Sequence, residues 1–494
     1  MKKQTAALHN LGCKVNAYEL EAVRQLLEGS GYEIVPFAPG ADLYVINTCT
    51  VTSIADKKSR QMLHRAKKMN PDALVVAMGC YAQINGDSLT KDPAIDIVIG
   101  NNKRMELLQA IQAHQESGEK QDARININQT KIYEPLEITR SSEHTRAFIK
   151  VQDGCNQFCT YCMIPYARGR VRSRRPEDVV REVTKLAENG TREVVITGIH
   201  VCSYGQDFEA GGLSASAADS GLRTDGQKTD LLYLLQQVNK IPGIDRIRLG
   251  SLEPTVMTEE TAAGMARLEK LCPHFHLSLQ SGCDATLARM NRGYTAAEYR
   301  GIVELLRREF DRPSITTDVI VGFPGETAEE FEESRKFIDD ISFYETHIFP
   351  YSRRAGTRAA AFPDQIPETV KKERALILRE LGDAKRAAWL QQYTGETAEV
   401  LPEEKIQVKG KWYWRGHTPR YQEALLPADG GSADPAVFRN ADPAGSGSAG
   451  PAASGNIGAS AAGSTLIAAG VPVQVKILDV LEKQYLLCEK HEIF

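Results

Sequence analysis

Short apolar runs alternate with amphipathic stretches through the first 115 or so residues. Runs at 6–8, 43–46, 74–78 and 95–99 read as strands. Between the first two, Asn16 with Glu19 three places on reads as a variant capping box that opens a helix. Leu20, Val23 and Leu27 recur at helical spacing, and Gly29 and Gly31 stop it. Residues 54–69 and 103–115 predict two further helices. Strand alternating with helix implies a parallel sheet covered on both faces. Residues 116–140 are polar and weakly periodic, as a linker is. A second series starts at 148–151, with strands expected at 193–197, 244–249, 275–279, 314–321 and 343–349. Helices are expected at 177–189, 230–240, 259–271, 296–310 and 327–340. Six such units with short connections favour a partial or open βα barrel over a flat sheet. A long helix at 367–393 follows, then short strands such as 471–478 and 485–488, which predict a small all-β module.

The expected fold is therefore α/β in three parts. A parallel α/β domain covers 1–118, a linker 119–140, a partial βα barrel 141–390 and an all-β module 391–494. Two segments read as insertions: 205–229, rich in Gly, Ser, Ala and Asp, and 427–464, dominated by Ala, Gly, Ser and Pro. Such composition buries too little apolar surface to offset chain entropy, so disorder is expected in both.

Composition narrows the class without choosing a function. The 494 residues are 42% hydrophobic and 25% charged, the balance of a globular protein, which excludes fibrous and wholly disordered readings. A net charge of −4 means that any nucleic-acid surface is a local patch. No apolar run approaches membrane-spanning length, and no apolar core follows Lys2 and Lys3, so the expected address is the cytoplasm. Ten cysteines are too few for a disulfide scaffold and, in a reducing compartment, point to metal or chemistry.

Their placement is the sharpest signal. Cys155, Cys159 and Cys162 form a C-x3-C-x2-C run just after a predicted strand. Three thiolates so close converge, and soft thiolates suit an iron–sulfur cluster, zinc or copper. Structural zinc wants a fourth ligand, and no nearby histidine supplies one. Cys13, Cys49 and Cys80 each follow a predicted strand by one to five residues. In a parallel sheet all carboxyl ends share one edge, where open α/β folds place ligands, so these three can meet. The alternative is three unrelated core cysteines. Gly12 and Gly79 beside them let backbone approach a bulky group, which favours a second cluster.

The C-x3-C-x2-C run resembles the cluster motif of the radical S-adenosylmethionine superfamily. With the second cysteine set, nearly the whole chain outside the insertions resembles the methylthiotransferases. That resemblance implies two [4Fe-4S] clusters, one at Cys155, Cys159 and Cys162 that binds S-adenosylmethionine, and an auxiliary one at Cys13, Cys49 and Cys80. It also implies a carboxyl-terminal module of the TRAM type. Cys202, Cys272, Cys283 and Cys488 match neither motif and read as structural. Predicted strand ends carrying Gly198, Ser251, Glu253, Gln280 and Asp318 fit a nucleoside cofactor, and Arg174 is a further candidate for holding it.

Residues 146–175 hold seven Lys or Arg against one acid, Asp153. Phosphate contact is the reading for Arg168, Arg170 and Arg172. In the tail, Lys409, Lys411 and Arg415 interleave with Trp412 and Trp414, a pattern that grips single-stranded RNA. The two tryptophans equally fit one inward face of a strand.

The segments 12–16, 47–52 and 161–169 look most like the subfamily that converts N6-threonylcarbamoyladenosine at tRNA position 37 to its 2-methylthio form. This implies tRNA as partner and an electron donor such as flavodoxin or ferredoxin; the oligomeric state stays open. The rival substrates are isopentenyladenosine in tRNA and an aspartate of a ribosomal protein. A rival of another class is a non-catalytic iron–sulfur carrier or RNA-binding scaffold.

Overall fold

The first sheet contains β1 (Thr5–Asn10), β2 (Glu33–Val35), β3 (Leu43–Thr48), β4 (Leu74–Gly79), β5 (Ile97–Ile99) and β6 (Gln121–Ala123). All pair in parallel, in the order β2-β1-β3-β4-β5-β6. Helices α1 (Lys14–Gly29), α2 (Ser53–Met69), α3 (Cys80–Leu89) and α4 (Leu107–Ser117) connect them. Their apolar stripes bury against the sheet; Leu20, Val23 and Leu27 of α1 are buried with Leu43, Val45, Val76 and Met78. This is a computed structural model, and it describes residues 3–141, 145–208, 229–428 and 467–490. Most of both expected insertions, 205–229 and 427–464, lies outside the described residues.

Several local expectations are corrected. Asn16 and Glu19 do not cap α1: the N-cap is Cys13, which makes no side-chain cap bond. The two polar side chains instead sit inside the first turns and are fully buried. Their spacing imitates a capping box because residues three apart share a helix face, and here that face meets buried arginines. Strands β2 and β6 and helix α3 had too little periodicity to stand out. Residues 119–140 also do more than connect: Leu136 and Ile138 join the barrel core, and Glu134 pairs with Arg104 at 3.1 Å.

The second series is a curved, open array. Strands β7 (Ala147–Asp153), β8 (Arg172–Ser173), β9 (Glu193–Gly198) and β10 (Arg246–Leu249) form one sheet, ordered β10-β9-β7-β8. Strands β11 (His274–His276), β12 (Ser314–Val321) and β13 (Glu345–Pro350) form another, and parallel bridges Ile247–Leu271 and Leu252–Leu277 join the two. Six parallel strands thus make the partial βα barrel, with the short antiparallel β8 beside β7. Helices α5 (Ile164–Arg168), α6 (Pro176–Glu188), α7 (Leu231–Asn239), α8 (Glu259–Ala266), α9 (Asp284–Met290), α10 (Ala296–Glu309), α11 (Ala328–Ile341) and α12 (Glu368–Gln391) accompany it. Ile149, Val151, Val194, Ile196, Ile247 and Val319 pack with the helices. Strand alternation then turns Lys150, Glu193, Arg248, His276, Asp318 and His347 to the inner face.

The first sheet docks against this barrel. On one side α1 packs along β7, with Tyr18 Oη donating to Leu136 O at 2.6 Å. On the other, Arg354 beyond β13 donates to Asp56 at 2.6 Å and to Thr50 Oγ1 at 2.7 Å.

The chain divides into two compact units, Met1–Gly382 and Asp383–Phe494. In the second, β14 (Thr397–Val408), β15 (Lys411–His417), β16 (Glu423–Pro427), β17 (Val473–Leu481) and β18 (Tyr485–Lys490) close into a barrel ordered β14-β15-β16-β18-β17. Its core holds Tyr413, Leu425, Leu481 and Leu487. Among the described residues, no helix is long and apolar enough to cross a membrane.

Candidate metal centres

At the carboxyl edge of the first sheet, Cys13 follows β1, Cys49 follows β3 and Cys80 follows β4. These strands are neighbours, so three cysteines far apart in sequence come together. Burial raises the Cys49 thiol to about 11, and the nearby Cys80 and Cys13 push it the same way. Cys13 is likewise raised by burial and by Cys80, although the residue keeps exposed surface. Two features favour negative charge at this edge. Cys13 caps α1 and Cys80 opens α3, so both lie at helix amino termini, where negative charge is favoured. The Cys80 sulfur also accepts from Arg168 Nε at 3.1 Å and lies 3.7 Å from Asn101 Nδ2.

Gly12 and Gly79 are required by their protein neighbours. A Cβ on Gly79, at φ +97°, falls 2.3 Å from Asn47 Oδ1, and one on Gly12 falls 3.3 Å from Cys49 Sγ. The second thiol set lies in the loop after β7. Cys155 Sγ accepts from Gln157 N at 3.5 Å, Cys162 Sγ from Ile164 N at 3.4 Å and Cys159 Sγ from Arg292 Nη1 at 3.2 Å. Burial raises Cys162 to about 12, and Cys159 and Cys155 add to the rise. Thr160 pins the loop, donating to Met290 O and accepting from Ala359 N. Gly154 starts it at φ +74°, where a Cβ falls 1.9 Å from Arg170 O. Gly154→Ala is therefore expected to destabilise the fold by about 1–3 kcal/mol and to lower iron retention; thermal unfolding and iron analysis check it.

The donor chemistry suits iron–sulfur clusters. Each set offers three soft thiolates, and each has a guanidinium donating to one sulfur, which offsets the charge of an anionic cluster.

A buried charge network lies between the two sets. Arg168 Nη2 donates to Asn16 Oδ1 at 2.6 Å and to Glu19 Oε2 at 3.0 Å, and Nη1 lies 3.4 Å from Asp153 Oδ1. Lys150 Nζ bonds Glu19 at 2.7 Å and Asp153 at 2.6 Å, and Arg104 reaches Glu19 at 2.7 Å. Asp153 then accepts from Gly154 N at 2.9 Å, beside Cys155. Burial pushes the Glu19 carboxyl up, but Arg104, Arg168 and Lys150 outweigh it and hold it at about 2.

Burial overturns three expected roles. Arg168 and Arg172 are fully buried, so neither can meet RNA phosphates. Arg174 is also buried and is committed to Glu182, so it does not face a cofactor. Desolvating a guanidinium demands carboxylate partners, and in this basic run the arginines that found them turned inward. Arg170 is exposed and stacks over Phe158, 4.6 Å from the ring centroid.

In the tail barrel Tyr413 takes the inward position, while Trp412 is 52% exposed and Trp414 half-buried beneath Lys405. The tryptophans thus occupy the outer face. Lys409 and Lys411 are exposed; Lys409 pairs with Glu482 at 3.3 Å, and Arg415 with Glu404 and Glu423.

The cradle residues occupy strand ends or inner positions. Gly198 ends β9, and Ser251 is exposed just beyond β10. Gln280 adopts φ +67° and pairs its backbone with Asp318 and Ile320. Glu253 is buried and held by Arg292 at 2.6 and 2.8 Å, which ties it to Cys159. Three neighbours escaped the sequence reading because no motif marks them. Arg292 touches Cys159 and Asn101 touches Cys80. His200 Nε2 is buried without a hydrogen bond, its imidazole lowered to about 4 by burial and by Arg292. The four remaining cysteines, Cys202, Cys272, Cys283 and Cys488, are all buried.

Residues 149–338 match the family model of the radical SAM superfamily, and residues 5–100 match an uncharacterised protein family, UPF0004. A solved structure of the radical S-adenosylmethionine methyltransferase TsrM from Kitasatospora setae shares the fold, with a TM-score of 0.51 and 17% identity; the match covers 72% of this chain and 77% of that one. The protein is thus a radical S-adenosylmethionine enzyme, whose class works with a [4Fe-4S] cluster and S-adenosylmethionine.

Longer matches narrow the class. A Bacillus subtilis (strain 168) protein named threonylcarbamoyladenosine tRNA methylthiotransferase MtaB is 40% identical, over 85% of this chain and 90% of its own length. The Aquifex aeolicus protein of the same name is also 40% identical, over 82% and 97%. A Moorella thermoacetica protein named tRNA-2-methylthio-N(6)-dimethylallyladenosine synthase is 35% identical, over 81% and 87%. The chain belongs to the tRNA methylthiotransferase family.

Proposed function

We propose that the protein converts N6-threonylcarbamoyladenosine at tRNA position 37 to its 2-methylthio derivative. The observation that carries this reading is the pair of three-cysteine sets, one on each side of a single buried charge network in the same compact unit. Four relatives at 33–40% identity bear that substrate in their names. In this reading 1–118 holds the auxiliary centre, 119–140 is the linker, 141–390 holds the barrel centre and 391–494 grips RNA.

Cys155, Cys159 and Cys162 hold the cluster that binds S-adenosylmethionine, and Cys13, Cys49 and Cys80 hold the auxiliary one. When bound, these groups supply one-electron cleavage of the sulfonium and a site for the transferred sulfur, chemistry needed because adenine C2 has no leaving group. The protein's part is placement. Arg292 holds a sulfur of the first set and Arg168 one of the second, while Glu253 fixes Arg292. Gly198, Ser251, Gln280 and Asp318 line the strands on which a nucleoside cofactor rests. Arg170, Lys409, Lys411, Trp412, Trp414 and Arg415 meet the tRNA through phosphate contacts and base stacking. The reaction belongs in the cytoplasm, with a flavodoxin or ferredoxin as electron donor.

The test is product analysis. Cluster-reconstituted, reduced protein is mixed with S-adenosylmethionine and tRNA carrying threonylcarbamoyladenosine, and the nucleosides are weighed by mass spectrometry. A 2-methylthio product together with 5′-deoxyadenosine is expected. Product only with dimethylallyladenosine tRNA reassigns the substrate. Deoxyadenosine without either product points to a substrate outside tRNA, such as a ribosomal protein. No deoxyadenosine at all defeats the enzymatic reading.

A further inference from the structure

The inner wall of the barrel carries two histidines that the reaction proposed above leaves unused, with Asp318 between them. His276 lies on β11, Asp318 on β12 and His347 on β13, three neighbouring parallel strands. In the register Asp318 is opposite His347, while His276 is opposite Thr316, two residues from Asp318 on the same face. Backbone pairing alone therefore brings the three side chains together. One donor atom from each lies within 4.8 Å of the others. His276 Nε2 is 3.4 Å from Asp318 Oδ2, and the two imidazoles stack with their centroids 5.8 Å apart.

The supporting contacts suit a ligand set. With its proton on Nδ1, His276 donates to Thr316 Oγ1 at 2.9 Å and turns the Nε2 lone pair toward Asp318. Metal-binding histidines are commonly oriented in this way, through the ring nitrogen that does not touch the ion. Thr316 is itself buried, which fixes the hydroxyl. Asp318 and His347 make no side-chain hydrogen bond among the described residues, so their lone pairs are not spent elsewhere. The other role open to Asp318, a counter-charge to inner-face cations, is filled by other acids. Glu193 answers Arg248 at 2.7 Å, and Glu19 and Asp153 answer Lys150.

The geometry points to a third metal centre, in which His276, Asp318 and His347 hold a borderline divalent transition ion. Two imidazole nitrogens and a carboxylate suit zinc, iron(II) or cobalt(II), whereas magnesium and calcium ask for oxygen donors. Nitrogen and oxygen donors also keep this centre apart from the two thiolate sets, whose sulfur favours iron–sulfur clusters. Three protein ligands leave coordination positions open. His347 is exposed while Ile348 beside it is buried among the helices, so these positions face the barrel's lumen. Water or an oxygen of a substrate bound there completes the coordination. The centre stands whichever adenosine the enzyme modifies.

The test is metal uptake by the cluster-loaded protein, with cobalt(II) as the probe. Reconstituted wild-type, Thr316→Val and His276→Gln/His347→Gln proteins are dialysed anaerobically against cobalt(II), and bound cobalt and iron are counted by mass spectrometry. The clusters are kept oxidised and diamagnetic, so the electron paramagnetic resonance signal reports the cobalt ligands. Wild type is expected to hold a single cobalt(II) per chain, with a signal unlike that of the hydrated ion. The double variant is expected to hold none at unchanged iron content. Thr316→Val keeps every ligand but frees the His276 ring, and should weaken cobalt binding by about 10–100-fold. Wild-type protein that takes up no cobalt overturns the inference. So does a double variant that takes up as much as wild type, since the cobalt is then an adventitious ion only. If the double variant loses its iron as well, Thr316→Val decides: weakened cobalt binding at full iron content supports the centre, and unchanged affinity overturns it.

Discussion

Arg168→Met is expected to destabilise the metal-free protein by about 3–5 kcal/mol, the range for breaking a buried ion pair from one side. Arg168 is fully buried, and its guanidinium bonds Glu19, Asn16 and Cys80 while lying near Asp153. Methionine leaves the two acids with less compensation in a site that water does not reach. Urea unfolding reads the effect as a lower midpoint, and an unchanged midpoint would contradict the burial argument. Acid titration probes the same network. The folded-state pKa of Glu19 is lowered to about 2, below its unfolded value of about 4.3. Its contribution is therefore complete at neutral pH and is lost as pH falls from about 4 towards 2. Glu19→Gln removes that dependence, so its stability should fall less steeply over this window than wild type's.

Single removals from the two thiol sets are expected to separate the two halves of the reaction. Cys159→Ala should lose about half of the bound iron and all formation of 5′-deoxyadenosine, since two thiolates do not hold a cubane built on three. Cys13→Ala should also lose about half of the iron, yet still cleave S-adenosylmethionine while forming no methylthio product. The contrast excludes general misfolding, which would abolish cleavage in both variants. Iron analysis of anaerobically purified protein and chromatography of both products read the outcome. Full iron content in Cys13→Ala would remove the auxiliary centre and with it the proposed reaction.

Much of this architecture is legible in the chain. Strand–helix alternation signals both parallel layers, because side-chain periods of two and about 3.6 follow from backbone geometry alone. The run Cys155, Cys159, Cys162 carries its own chemistry, since a single loop cannot keep three nearby thiols apart. Cys13, Cys49 and Cys80 were legible one step removed, through the rule that parallel strands end on one edge. The short strands β2 and β6 were not, because three residues are too few to establish a period.

The fate of each charge was decided only by tertiary packing. Arg168, Arg170 and Arg172 look alike in sequence, yet two are buried and one reaches solvent. Glu19 imitates a helix cap but anchors the docking of sheet and barrel. Trp412 and Trp414 fit an inward or an outward face until closure of the tail barrel places Tyr413 inside. Local pattern determines which groups can share a face and which thiols must meet. Whether a charge meets water, phosphate or a buried carboxylate depends on partners more than a hundred residues away, such as Glu19 for Arg168, which no window of sequence contains.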